Sequence, residues 1–290
     1  MENRINGHTK LFCLIGSPVG HSGSPAMYNY SFDKLNMNNA YLAFDVPLEK
    51  TAEAVEALKL LHVGGFNITM PCKTAVSQFV DRLSPAAQMI GACNTVTVDE
   101  EGKLTGHNTD GIGFVRNLAK HGVEIKGKKL VVLGAGGAAT ALTIQSALDG
   151  AAQIRIFNRK GYSFYENGER TVEKIKANVP GCQVSIEDLL DSEALAQAVN
   201  ECDILVNATK VGMAPLDKET LIDPKLFRKD LVVADTVYNP KETRMIKEAK
   251  AAGCTVVGGI GMLLQQGVAA FQLFTGEQMP EEEVRQKFFA

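Results

Sequence analysis

Short apolar runs alternate with helix-like segments along most of this 290-residue chain. In the second half, a helix-like or loop segment follows each run. These runs are KLVVLG, QIRIFN, CQVSI, DILVNAT, LVVADTV and CTVVGG. Strands that alternate with crossover segments predict a parallel sheet with helices on both faces. The expected fold class is therefore α/β.

The first half shows the same alternation and adds a short hairpin. Its strand-like runs are KLFCLIG (10–16), AYLAFDV (40–46) and GGFNIT (64–69), with helical spacing near 24–36 and 50–61. The runs CNTVTV and GKLTG, joined by a polar turn, predict two antiparallel strands. A helix is then expected from Asp110 to about His121, because Gly122 can end it.

A polar, glycine-containing joint, GVEIKGKK, predicts a boundary between two domains. We expect an N-terminal α/β substrate domain over 1–121 and a C-terminal Rossmann-type doubly wound domain over 122–261. A helix near Met262–Phe274 begins the last segment, 262–290, which is expected to pack back on the first domain.

The overall composition excludes several classes of protein. Hydrophobic residues make up 45% and charged residues 22%, which is typical of a globular chain. The net charge of -3, with scattered Lys and Arg, argues against a nucleic-acid or membrane surface. The polar start, MENRINGHTK, does not suggest a secretory leader, and the charge-free run 130–148 reads as strand, turn and helix. Six cysteines without metal-ligand spacing indicate a reduced, cytoplasmic compartment and no metal site.

The stretch VVLGAGGAAT fits the G-x-G-x-x-G/A fingerprint of dinucleotide-binding turns. Gly134, Gly136 and Ala139 occupy its three small positions between a strand and a helix. The glycines permit a tight turn and close backbone approach, and the helix start offers N–H groups to a pyrophosphate. A glycine-rich packing turn is the alternative.

The next strand ends in Asn158, Arg159 and Lys160, and no acid follows until Glu166. An acid about 20 residues after the fingerprint is typical of NAD binding, whereas cations there suit a ribose 2′-phosphate. This pattern favours NADP without excluding NAD. Two solvated cations on a surface turn are the alternative.

Four polar segments follow strands in the first half: SPVGHSGSP, NITMPCK, GACNT and HNTDG. Ligands of open α/β sheets gather outside the carboxyl ends of the strands, so these segments predict one shared crevice. Each also has a structural explanation. Ser22 and Ser24 suit a turn and helix cap before Pro25, Asn94 suits the hairpin, and Asp110 is a good helix cap.

The ordered set of these motifs, with NATKVGM, VYNP and GMLLQQG, resembles the shikimate/quinate dehydrogenase family along essentially the whole chain. The resemblance implies that Lys73 is catalytic, with Asp110 as its partner. It also implies that Ser22 and Ser24 hold the substrate carboxylate. Further substrate contacts are expected from Asn67, Thr69, Asn94, Thr109, Tyr238 and Gln266.

The resemblance likewise implies a set of cofactor contacts. These are Gly134, Ala135, Gly136, Gly137, Ala138, Ala139, Asn158, Arg159, Lys160, Thr209 and Gly259. The implied reaction is the reversible reduction of 3-dehydroshikimate to shikimate with NADP or NAD, in the pathway through chorismate to the aromatic amino acids.

Two departures leave alternatives open. S-G-S-P replaces the family's usual S-L-S-P, so Gly23 loosens that turn. Gly161 stands where the branch acting on both quinate and shikimate often has an acid, which weakens an NAD preference. Quinate therefore stays open as the main substrate. A catalytically idle relative, a different two-domain dehydrogenase and a homodimer also stay open.

Overall fold

The computed structural model describes residues 5–289. Residues 1–4 and residue 290 lie outside the described residues. Residues 1–4 belong to the polar stretch that argues against a secretory leader. The strands are β1 (Lys10–Gly16), β2 (Asn39–Asp45), β3 (Gly65–Ile68), β4 (Arg82–Leu83), β5 (Thr95–Val98), β6 (Leu104–His107), β7 (Lys129–Leu133), β8 (Gln153–Asn158), β9 (Gln183–Asp188), β10 (Ile204–Asn207), β11 (Val232–Asp235) and β12 (Thr255–Val257).

The α-helices are α1 (Ser24–Lys34), α2 (Thr51–Leu60), α3 (Lys73–Val76), α4 (Pro85–Ile90), α5 (Thr109–Lys120), α6 (Gly137–Leu148), α7 (Ser163–Asn178), α8 (Ser192–Glu201), α9 (Arg244–Ala251), α10 (Gly259–Thr275) and α11 (Glu281–Phe288). Single turns of 3-10 helix lie at Leu48–Lys50 and Pro224–Leu226.

The second sheet has the order β12-β11-β10-β7-β8-β9, and all of its neighbouring strands are parallel. This is the doubly wound order, in which the strand order reverses between β7 and β10. The central strands are apolar on both sides because helices cover both faces. Val131, Leu205 and Val233 are accordingly fully buried in one core. The expected α/β class is confirmed.

The first sheet is mixed, with the order β2-β1-β3-β5-β6-β4. β1 runs parallel to both β2 and β3, and the predicted hairpin appears as antiparallel β5 and β6. The sheet ends in β4, which pairs parallel with β6 and was not predicted. Two residues are too few to give a strand pattern in a sequence.

The C-terminal segment contains two helices, α10 and α11. α10 starts at Gly259, earlier than expected, and α11 was not predicted. The later part of α10 packs on α1, where the Tyr28 hydroxyl donates to the Gly267 carbonyl at 3.1 Å. The rings of Phe271 and Phe274 lie 6.1 and 6.2 Å from that of Tyr28.

The chain divides into two compact units, one of residues up to 109 and from 266 onward, the other of residues 110–265. The sequence placed the boundary after His121, whereas this division groups most of α5 with the second unit. The physical reason is close packing. A Cβ at Gly111 would lie 2.5 Å from the Ala141 carbonyl oxygen of α6, and Asn117 Nδ2 donates to the Gly258 carbonyl at 3.1 Å.

The long charge-free run 130–148 divides into β7, a glycine turn and α6, as its turn residues predict. Among residues 5–289, no helix combines the length and the apolar character needed to span a bilayer.

Candidate active site

The segments that follow β1 and β3 leave the same edge of the first sheet because these strands are parallel neighbours. Thr69 N donates to the Ile15 carbonyl at 2.9 Å, and Ser17 N donates to the Met70 carbonyl at 3.0 Å. At Gly16, with φ +148°, a Cβ would lie 2.5 Å from the Thr69 methyl group. These contacts hold together the two segments that carry the predicted substrate residues.

Neither Ser22 nor Ser24 is the N-cap residue of α1. The residue that caps α1 is Gly23, whose position supplies no side-chain hydrogen bond. Ser22 Oγ accepts from Ser24 N at 3.2 Å and so supports the turn. Within the described part of the chain, the half-buried Ser24 hydroxyl makes no hydrogen bond. It is therefore well suited to bind a ligand.

Lys73 is the first residue of α3, in a turn fixed by its neighbours. Cys72 is fully buried, and its N–H donates to the Thr69 carbonyl at 3.0 Å. The Lys73 carbonyl accepts from Cys93 N at 3.0 Å. Burial raises the pKa of the Cys93 thiol, and the charge of the nearby Lys73 ammonium acts in the opposite direction. The backbone carrying this half-buried lysine is thus held on both sides.

Asn67, a predicted substrate contact, is occupied by internal partners. Its Oδ1 accepts from the Tyr41 hydroxyl at 2.7 Å. Its Nδ2 donates to the Asn94 carbonyl at 3.2 Å and to Thr95 Oγ1 at 3.0 Å. Both N–H groups are used and the side chain is buried, so Asn67 links β3 to β2 and to the segment of Asn94 and Thr95.

The Asn94 carboxamide fixes the start of α5. Its Oδ1 accepts from Thr109 N at 2.8 Å and from the hydroxyls of Thr109 and Thr95 at 3.1 Å each. Thr109, a predicted substrate contact, is fully buried in the structure. Because Cys93 N binds the Lys73 carbonyl, this network ties the lysine turn to the residue before Asp110.

The glycine-rich loop of the second unit fits the pyrophosphate of a dinucleotide. Gly134 has φ +103°, and a Cβ there would lie 2.9 Å from the Ala208 carbonyl oxygen. A Cβ at Gly136 or Gly137 would meet nothing within 4 Å, so the loop opens onto free space there. The first N–H groups of a helix have no intrahelical acceptor, and here they begin at Gly137.

Asn167 of α7 supports this loop, and sequence reasoning missed it. Its Nδ2 donates to the Ala135 carbonyl at 2.6 Å and to Thr140 Oγ1 at 2.9 Å. Ala138 is exposed on the first turn of α6, whereas Ala139 is buried, as the third small position of the fingerprint requires. Asn167 lies in a polar helical stretch and carries no motif that would single it out.

The predicted cations follow β8 as expected. Asn158 is half-buried at the strand end, and Arg159 and Lys160 are exposed beyond it. The Arg159 guanidinium lies 4.8 Å from the ring centre of Tyr162, a cation–π distance that orients this side chain.

A carboxylate from another strand binds the backbone of this turn, although no acid follows β8 along the chain until Glu166. Asp188 ends β9, and its Oδ1 accepts from Lys160 N at 3.2 Å and from Leu190 N at 3.1 Å. The acid comes from the neighbouring strand, which pairs Asn158 with Asp188. A search along the chain after β8 does not reach it.

A second polar cluster fixes the loops after β10 and β11. Asp235 Oδ1 accepts from Asn207 Nδ2 at 3.0 Å and from Val237 N at 2.9 Å, and its Oδ2 accepts from Thr243 Oγ1 at 2.6 Å. Asn207 Oδ1 in turn accepts from Thr209 Oγ1 at 2.7 Å. Asn207 and Asp235 are polar residues at the ends of buried strands, and that signal could have identified them.

Other predicted residues of the second unit fall close to these loops. The Thr209 methyl group would lie 2.9 Å from a Cβ at Gly134, so these two predicted cofactor residues are adjacent. A Cβ at Gly259 would lie 2.5 Å from the Val237 carbonyl oxygen, so only glycine fits there. Tyr238 is 51% exposed on the loop after β11. Gln266 belongs to the first unit and is half-buried on α10.

The Asp235 cluster predicts a pH dependence of stability. Burial raises the pKa of Asp235 to about 6 from 3.8, although Thr243, Val237 and Asn207 donate hydrogen bonds that lower it. The folded protein therefore takes up this proton before the unfolded chain does, and folding gains stability as the pH falls from about 6 towards 4. At about 1.4 kcal/mol for each pKa unit, the gain is about 2–3 kcal/mol.

Urea unfolding of the wild-type protein and of Asp235→Asn between pH 7 and pH 4.5 measures this gain. The other carboxyl groups are the same in both proteins, so their contributions cancel when the two free energies of unfolding are subtracted. The pH dependence of the difference is therefore that of Asp235. A difference that stays constant with pH would show that the carboxyl group ionises as it does in the unfolded chain.

Comparison with known proteins identifies a family for this chain. Residues 14–96 match the model of the shikimate dehydrogenase substrate binding domain, and residues 259–287 match the shikimate 5'-dehydrogenase C-terminal domain. A protein from Streptococcus uberis named shikimate dehydrogenase (NADP(+)) is 47% identical over 292 residues, which covers 100% of this chain and 98% of that protein.

Solved structures agree. Shikimate 5-dehydrogenase from Listeria monocytogenes in complex with shikimate and NAD matches with a TM-score of 0.95 and 44% identity, over 99% of this chain and 98% of that chain. Quinate dehydrogenase from Corynebacterium glutamicum in complex with NAD matches with a TM-score of 0.85 and 30% identity, over 97% and 99% of the two chains. This chain belongs to the shikimate dehydrogenase family.

Proposed function

We propose that the protein catalyses the reversible, NADP- or NAD-dependent reduction of 3-dehydroshikimate to shikimate, in the pathway to chorismate. The observation that carries the assignment of residues is the linkage from the Lys73 turn, through Cys93 and Asn94, to Thr109. It fixes the backbone beside both members of the proposed catalytic pair. Likeness to relatives named shikimate dehydrogenase along the whole chain supports the choice of reaction.

Lys73 acts as the acid–base group of this reaction. In oxidation, its Nζ takes the proton of the ring hydroxyl. In reduction, it gives a proton to the carbonyl oxygen as negative charge develops there. Asp110, in the first turn of α5, stabilises the charged form of the lysine. When bound, the nicotinamide supplies the hydride chemistry.

The remaining roles follow the division of the chain. The first unit binds the substrate: Ser22 and Ser24 hold the carboxylate, and Thr69, Asn94 and Gln266 contact the ring hydroxyls. Tyr238, on the loop after β11, is a further proposed substrate contact. The rest of the second unit holds the cofactor through the glycine-rich loop, Thr209, Gly259 and the segment 158–160.

Steady-state kinetics with shikimate and with quinate, each with NADP and with NAD, test this function. We expect shikimate to give the higher kcat/KM with either cofactor. A higher kcat/KM for quinate would make the protein a quinate dehydrogenase. No turnover of either substrate, with cofactor binding intact, would support a catalytically idle relative.

Substrate anchoring gives a prediction for the two serines. Ser22→Ala with Ser24→Ala removes two hydroxyl donors to a carboxylate, and such charge-assisted bonds are strong. We expect KM for shikimate to rise by about 10- to 100-fold, as about 1.5–3 kcal/mol implies. KM for the cofactor should not change.

Ser84→Ala is the matched control, because Ser84 Oγ caps α4 by accepting from Ala87 N at 3.3 Å. Loss of a cap costs about 1 kcal/mol of stability and should leave KM unchanged. If the double serine variant behaves like Ser84→Ala, Ser22 and Ser24 serve only the turn before α1.

A cytoplasmic location is part of the proposal. All six cysteines are free and buried in the structure, a state that a reducing compartment preserves. Fractionation of cells that express the protein, with an antibody to the chain, tests the location.

A further inference from the structure

The ends of β8 and β9 are joined more tightly than strand pairing requires. Asn158 pairs with Asp188 in the parallel register, and Leu189 N donates to the Asn158 carbonyl at 3.0 Å. Asp188 Oδ1 then accepts from the backbone N–H of Lys160 and of Leu190, at 3.2 and 3.1 Å. One carboxylate therefore connects the turn of Arg159 and Lys160 to the turn that follows β9.

This position matters for the cofactor because the end of the second strand is where a dinucleotide fold reads the ribose 2′ substituent. A 2′-phosphate gains from cations and from backbone N–H donors there. Asp188 already accepts the Lys160 N–H, and its negative charge opposes that of a phosphate. A 2′-hydroxyl carries no charge and is not opposed in this way.

The charges around the turn act in opposite directions on a 2′-phosphate. Arg159 rests on the Tyr162 ring and offers a cation at the surface. Asp188 is half-buried, so solvent screens its charge less than that of an exposed acid. Burial and the carboxylates of Glu169, Asp188 and Glu187 raise the pKa of Tyr165, so the charge of Asp188 also acts on this hydroxyl of α7.

We propose that Asp188 sets the cofactor selectivity of this protein: its carboxylate holds the 159–161 turn through Lys160 N–H and weakens the advantage that Arg159 and Lys160 give to a 2′-phosphate over a 2′-hydroxyl. The proposal rests on the proposed function, in which the second unit binds NADP or NAD. It gives the protein a balanced use of both cofactors even though Gly161 replaces the acid of the dual-specificity branch.

Calorimetric titration with two cofactor fragments tests the proposal without turnover. The probes are 2′,5′-ADP, which carries the 2′-phosphate, and 5′-AMP, which does not. Asp188→Asn keeps an acceptor oxygen for Lys160 N–H and removes the charge. We expect it to tighten 2′,5′-ADP by about 3- to 30-fold at low salt and to leave 5′-AMP within about 2-fold, the range for unit charges several ångströms apart near a surface.

Two further variants separate charge from support of the turn. Asp188→Ala removes the acceptor as well, so both fragments should bind less tightly than they bind to Asp188→Asn. Arg159→Ala should move the ratio of the two affinities in the opposite direction, towards 5′-AMP. In kinetics, kcat/KM for NADP relative to NAD should rise for Asp188→Asn and fall for Arg159→Ala, and both changes should shrink at high salt.

Asp203→Asn is the matched control. Its carboxylate also accepts a backbone N–H, that of Lys129 at 2.8 Å, but it precedes β10 at the opposite end of the strands. The net charge changes equally, and the ratio of affinities should not move. A ratio that is unchanged, or shifted towards 5′-AMP, in Asp188→Asn would overturn the inference. If wild-type protein binds neither fragment, the proposed function itself fails.

Discussion

Lys73→Ala is expected to lower kcat for shikimate oxidation by about 10²–10⁴-fold, the range for a positioned acid–base group. The fold should survive because the bonds that hold the turn are made by the backbone. Cys93 N donates to the Lys73 carbonyl, which alanine retains. Initial rates at saturating shikimate and NADP measure the loss, and the melting temperature reports on folding.

Lys59→Ala is the matched control for this variant. Lys59 also lies in the first unit, and its ammonium is 3.8 Å from the Glu56 carboxylate on the surface of α2. A pair that solvent reaches in this way, with Lys59 half-buried and Glu56 exposed, contributes little to stability, and the variant should keep its full rate. If Lys73→Ala also keeps most of its rate while folded, another group moves the proton.

Asp110→Asn extends the same prediction to the second member of the pair. The asparagine keeps the size of the side chain at the start of α5 and removes the charge. We expect a loss of kcat comparable to that of Lys73→Ala. The double variant should be little worse than either single variant, because residues that act as one unit give non-additive losses. Additive losses would show that Asp110 acts on the substrate independently.

Sequence patterns anticipate the second unit well because its signals are local. The run KLVVLG and the glycine turn after it give β7 and the start of α6, and parallel crossovers follow from alternating elements. Each of these signals lies within about ten residues of chain. The assignment of Lys73 depends instead on the family resemblance, because a cation in a turn can also be a solvated surface lysine.

The missed features depend on pairings between distant segments. Asp188 meets Lys160 only because β9 lies beside β8, and Tyr41 meets Asn67 because β2 and β3 flank β1. In the sequence, Asn67 resembles a ligand-binding residue. Only the fold shows that both of its N–H groups are occupied. In a sequence, polar residues at strand ends mark one edge of the sheet. The register between neighbouring strands determines which of these residues hydrogen-bond to one another.

Asn94→Ala is expected to cause a large loss of stability, about 2–4 kcal/mol. Asn94 Oδ1 accepts from one backbone N–H and two hydroxyls, and all three donors are buried. A buried donor left without an acceptor costs about 1–3 kcal/mol, and the hydroxyls can partly find other acceptors by rotation. Because the lost N–H bond is that of Thr109, and because the carboxamide is itself a proposed substrate contact, kcat should fall as well, by at least about 10-fold. Urea unfolding and initial rates measure the two effects.

Asn29→Ala separates positioning from stability, because Asn29 also makes three hydrogen bonds within the first unit. Its Nδ2 donates to the carbonyls of Pro25 and Tyr41, and its Oδ1 accepts from Tyr41 N. It should lose a similar amount of stability and keep its kcat. Asn94→Asp retains an acceptor for Thr109 N and should recover part of the stability lost in Asn94→Ala. If Asn94→Ala and Asn29→Ala lose stability equally and both keep kcat, the carboxamide supports the fold alone, and the start of α5 is positioned for catalysis by other contacts.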